Sequence, residues 1–138
     1  MLAPVNSDVI CTETMLNRDL TIKFAVSAVF GAAIWVLSSI VTGSAEPWDA
    51  DSPYYFISLF AGGALLGWLY PRNIWTVFLG IMFGQLVYFL VFLPSGPLLP
   101  LGIIFLFGFG VLSLAGAALA SRIKRRLEGI NSGNGHGI

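Results

Sequence analysis

Between Phe24 and Pro71, and again between Asn73 and Ser121, the chain carries no lysine or arginine. Apolar runs of that length cannot be hidden inside a chain of 138 residues, because a globular fold so small leaves much of its surface in water. A bilayer accepts them, since about 20 apolar residues in a helix cross its hydrocarbon core. With 57% apolar and 10% charged residues, against about 45–50% and 25% in soluble domains, most side chains must have lipid as their solvent.

The net charge of zero conceals a segregation that sets topology. Arg122, Lys124, Arg125 and Arg126 cluster behind the last apolar run, and Arg72 interrupts the middle. Glu46, Asp49 and Asp51 sit together between two runs. Basic residues beside spans are retained in the cytoplasm. This predicts a cell-membrane protein with both termini and the Arg72 turn inside, and the acidic loop outside. Four charges at one helix end anchor topology and are few for nucleic acid, so no nucleic-acid partner is expected.

A single cysteine, Cys11, excludes an internal disulfide and a cysteine-based zinc cluster, and it reads as a reduced, free thiol. His136, in the tail, has no second ligand near it, so neither metal nor cofactor is expected.

Punctuation along the chain predicts an all-α membrane protein, a compact bundle of four antiparallel transmembrane helices over about 20–42, 53–70, 74–93 and 100–121. Lys23 lies at the inner end of the first and can snorkel to the headgroups. Eighteen largely apolar residues from Phe24 to Val41 exceed a signal peptide's apolar region of about 7–15, so this run is read as a retained span. Ser52-Pro53 should start the second span, serine as cap and proline at the first helical position. Pro71-Arg72-Asn73 allows only a tight helical hairpin, with Asn73 capping the third span. Pro94-Ser95-Gly96-Pro97 turns the chain, and Pro100 opens the fourth span, which should run through the basic residues to Glu128. The domain is then 1–128, with Gly129 as the stop and 129–138 a disordered cytoplasmic tail. Before Asp19 no clear period is visible, and Asn6-Ser7-Asp8 could cap a short interfacial helix. Trp48, Tyr54 and Tyr55 mark one membrane interface, and Trp68, Tyr70 and Trp75 the other.

Small residues recur at multiples of four, notably Gly63 and Gly67, Gly80 and Gly84, and Gly108, Gly116 and Ala120. Such faces let helix backbones touch in lipid, where apolarity gives helices no preference for one another. They serve either packing within one bundle or self-association. Gln85, beside Gly84, is the most polar side chain deep in any span. It must hydrogen-bond to a neighbour such as Ser27, Ser58 or Ser113, or else line a polar path.

No ionisable side chain falls in the centre of a span, which disfavours proton-coupled transport. The outer group Glu46, Trp48, Asp49, Asp51, Tyr54 and Tyr55 reads as a solvated loop, a partner contact or a weak cation site; it is not an EF-hand, because tyrosine stands where the loop glycine belongs. No nucleophile motif, metal-ligand spacing or phosphate loop is present, so the chain is not read as an enzyme. Two functions remain. One is an accessory or assembly subunit acting through the glycine faces and the acidic aromatic loop, with the bilayer and other membrane subunits as partners. The other is a homo-oligomeric channel or passive transporter for cations or small solutes.

Overall fold

The computed structural model describes residues 7–43, 52–93, 96–97 and 99–133. They form four helices, α1 (Ser7–Val41), α2 (Tyr54–Leu69), α3 (Ile74–Phe92) and α4 (Leu99–Gly133). Three of these, α1, α3 and α4, are long and apolar enough to cross a membrane. The fourth, α2, is equally apolar but has 16 residues, a length of about 24 Å.

The breaks fall where backbone chemistry requires them. At the end of α1, the Thr42 amide reaches back to the Ser38 carbonyl at 2.8 Å, and Gly43 takes the left-handed conformation at φ 72° that releases the chain. Pro53 is the cap of α2 rather than its first helical residue; its carbonyl accepts from the Ile57 amide, and Ser52 Oγ accepts from the Tyr54 amide at 3.3 Å. Between α2 and α3, Tyr70 N–H closes on Leu66, and Asn73 N–H bonds the Tyr70 carbonyl at 3.0 Å, making a turn around Pro71.

Both outermost helices run further than the sequence reading has them. Instead of a short interfacial helix before Asp19, α1 is continuous from Ser7. Instead of stopping at Gly129, α4 continues to Gly133. The reason is common to both: no proline follows Ser7 within α1 or Pro100 within α4, and a helix nucleated by an apolar span adds residues cheaply. Residues 134–138, with His136, lie outside the described residues, as do Glu46, Trp48, Asp49 and Asp51 of the acidic loop.

Packing divides the chain into two intimate pairs, α1 with α3 and α2 with α4; α3 also packs on α4. Contact between α1 and α2 is sparse. It leaves an apolar groove of about 320 Å³ walled by Phe30, Ile34 and Leu37 on one side and Ile57, Ala61 and Leu65 on the other. The core gathers Trp35, Tyr55, Leu59, Ile81, Met82 and Leu106. The outside carries exposed Val29, Ile40, Leu79, Phe83, Val91 and Ile104, a surface suited to lipid.

Candidate functional site

Small residues decide how close the pairs come. A Cβ on Gly80 would fall 2.5 Å from Ser27 Cβ, and one on Gly84 would strike the Ala28 backbone. On the other pair, Gly63 lies against the Ser113 backbone, Gly67 against Ala117 (a Cβ on Gly67 would fall 2.5 Å from the Ala117 Cα), and Gly116 against Phe60 and Ala64. In both pairs the contacts ascend together, so α1 runs alongside α3, and α2 alongside α4, in the same direction. Five of the six glycines singled out in the sequence are therefore used within the chain. Gly31, which the sequence reading passes over, belongs with them, because its Cβ would meet the Ile81 backbone. The signal for it was present in Ser27-Ala28 and Gly31, small residues one turn apart. Gly108, by contrast, faces open space.

The close approach at Gly84 brings the α1 face bearing Trp35 onto its neighbour Gln85. Trp35 Nε1 donates to Gln85 Oε1 at 3.2 Å, and the Tyr55 hydroxyl donates to the same oxygen at 2.7 Å. All three side chains are fully buried. Trp35 is held in turn by Tyr88 and Phe89, with ring centroids 5.7 and 5.8 Å away. Tyr55 meets Phe109 of α4 edge-on at 6.1 Å. One amide oxygen thus joins α1, α2 and α3, and an aromatic contact brings in α4.

The serines offered as partners by the sequence reading are not among these bonds. Ser27 Oγ donates to the Lys23 carbonyl and Ser113 Oγ to the Gly110 carbonyl, each on its own helix, while Ser58 lines the groove. A serine in a helix satisfies itself on the preceding turn, which leaves the amide to the longer aromatic donors. Tyr55 is also displaced from its expected role at the membrane interface, since its side chain points inward. Tyr54, half-buried, donates to the Ile34 carbonyl at 3.1 Å.

No family model matches the chain, and neither does any curated protein or solved structure.

The indole N–H can only donate, so the oxygen of Gln85 must face Trp35, and the amide nitrogen is turned away. That nitrogen is buried without a hydrogen-bond partner among the described residues. Leaving such a donor unmet costs about 1–3 kcal/mol, while two hydrogen bonds between helices in lipid average about 0.6 kcal/mol each. The node is therefore close to neutral in stability. Its effect is geometric: only one rotation of α1 and α2 about α3 brings both donors to the oxygen.

A second polar cluster sits at the α2–α3 turn. Lys23 pairs with Asp19, donates to Asn73 Oδ1 at 3.1 Å and lies 5.7 Å from the centre of the Tyr70 ring. Asn73 occupies the cap position of α3, yet its side chain makes no cap bond and turns to Lys23 instead. Lys124 of α4 donates to the Trp68 carbonyl at 2.9 Å. Both lysines thus dock onto this turn rather than reaching away from the bundle. Among the described residues, no three His, Cys, Asp or Glu side chains gather as a metal site would require.

Proposed function

We propose that the chain is a non-enzymatic accessory or assembly protein of a membrane complex, with four antiparallel spans, α2 included, and both termini in the cytoplasm. The observation that carries the reading is the closed interior: the oxygen of Gln85 is engaged by Trp35 and Tyr55, and the glycine faces are occupied by the chain's own helices. What remains for partners lies outside the bundle. It consists of the lipid-facing surfaces and the ends of α1 and α4; the acidic group Glu46, Trp48, Asp49 and Asp51, a contact expected from sequence, falls outside the described residues. The glycine faces, offered as contact surfaces from sequence, drop out of that set. Solubilising native membranes in mild detergent and identifying what co-purifies is the test. A larger unrelated subunit supports the reading, and a complex holding nothing but this chain contradicts it.

The second reading, a homo-oligomeric channel or passive transporter for cations or small solutes, has one observation in its favour, the unpartnered Gln85 amide nitrogen. A permeating solute could meet that donor. Purified protein in liposomes should then give a flux that Gln85→Leu abolishes, and the absence of flux from the unaltered protein removes the reading.

A further inference from the structure

Both long helices leave the bundle at the same end. Lys23 and Lys124 each dock on the turn between α2 and α3, through Asn73 and the Trp68 carbonyl. Beyond that level α1 continues outward to Ser7 and α4 to Gly133. At 1.5 Å per residue these extensions are about 24 Å and about 13 Å long. Among the described residues the two extensions do not pair with each other, since α1 and α4 make no contact. Residues 12–19 are exposed throughout, as are 122–130 apart from Lys124.

The extensions are not plain polar helices. Met15 and Leu16 on α1 are 64% and 58% exposed, and Leu127 and Ile130 on α4 are 49% and 63% exposed, beyond the turn that carries the basic anchors. On α4, Ile123, Leu127 and Ile130 repeat at intervals of four and three. This continues the stripe of Gly116 and Ala120, of which Gly116 packs on α2, past the point where α2 ends. Such spacing is that of a helix seam. The charges are opposite as well. Residues 7–19 hold Asp8, Glu13 and Asp19 against Arg18, whereas 122–133 hold Arg122, Lys124, Arg125 and Arg126 against Glu128.

We propose that the two extensions pair between copies, the α1 extension of one chain lying antiparallel on the α4 extension of a second, twice over in a symmetric dimer. The levels match when the lysines are aligned. Leu20 then stands opposite Leu127, Leu16 near Ile130, Arg18 near Glu128, and Asp19 within reach of Arg125 and Arg126. Reciprocal exchange closes the assembly, because each copy offers both halves of the contact. The dimer is independent of whether an unrelated subunit also binds, so its test does not hang on the accessory reading.

Two differently tagged full-length copies in a Cys11→Ser background test it, one with Leu16→Cys and the other with Ile130→Cys. Oxidation in native membranes should give a mixed-tag species of doubled mass. Thr12→Cys with Ile123→Cys, about three turns out of level, should not. Arg125→Glu with Arg126→Glu on the α4 copy should lower the cross-link about tenfold, and Glu13→Lys with Asp19→Lys on the α1 copy should restore it. Helicity by circular dichroism is expected to stay unchanged, since all these residues lie outside the bundle. Cross-linking no better than the mismatched pair overturns the proposal. So does a cross-link indifferent to the charge reversals, or one that joins the chain to a different protein or leaves copies separate on an anionic membrane surface.

Discussion

Gln85 is a side chain whose oxygen and nitrogen have opposite fates, and the imbalance can be measured. Tyr55→Phe deletes one donor and should cost about 0.5–1.5 kcal/mol in a Gln85 background. In a Gln85→Leu background the same change should cost almost nothing, because no acceptor remains. Equal costs in both, read from unfolding in detergent, would show that the bond contributes no energy. Gln85→Leu alone removes one unmet donor but takes the acceptor from two buried ones, the Trp35 indole N–H and the Tyr55 hydroxyl, so it should destabilise by about 1–3 kcal/mol. Glycines divide in the same way. Gly84→Ala forces the Ala28 backbone away and should destabilise by about 1–3 kcal/mol, whereas Gly108→Ala meets open space and should gain up to about 1 kcal/mol from helix propensity. A similar loss at both positions would sink the distinction. Polarity marked Gln85 in the sequence before any contact was known, yet its partners were not legible. They come from Trp35, fifty residues away, and Tyr55, thirty away, and nothing in either neighbourhood says which helix faces which.

Among the elements, the α2–α3 turn is where all four helices are fastened. Lys23→Met and Asn73→Ala should each loosen α1 from it, and the two together should cost little more than either alone. Additive losses would mean that the 3.1 Å contact is incidental. Because Asn73 does not cap α3 through its side chain, the loss from Asn73→Ala should vanish once Lys23 is replaced. The element boundaries were largely written in the sequence, since Gly43, Pro53 and Pro71 act on the backbone where they stand. The helical continuation before Asp19 and after Gly129 was not. There the sequence has neither a period nor a breaker, and what decides is a neighbouring span already helical.

At the scale of the whole molecule, the proposed topology makes a direct demand. With Cys11→Ser as background, Ser52→Cys should react with a membrane-impermeant thiol reagent only from outside, and Arg72→Cys only once the membrane is opened. Labelling of both from the same side would overturn four spans and leave α2 within one leaflet. The sequence announced a membrane bundle through its uncharged runs, but it could not show that the tightest contacts join helices running in the same direction. Those contacts depend on which small residues face one another. The unequal helix lengths carry one more consequence. At about 24 Å, α2 falls short of a hydrocarbon core about 30 Å thick, while α1 and α4 exceed it. With α2 crossing as proposed, lipid beside it must shorten its reach there, at a cost that rises with every ångström of mismatch. The protein would then act as a gauge of bilayer thickness, most at ease in thin membranes and drawn to thinned patches within thick ones.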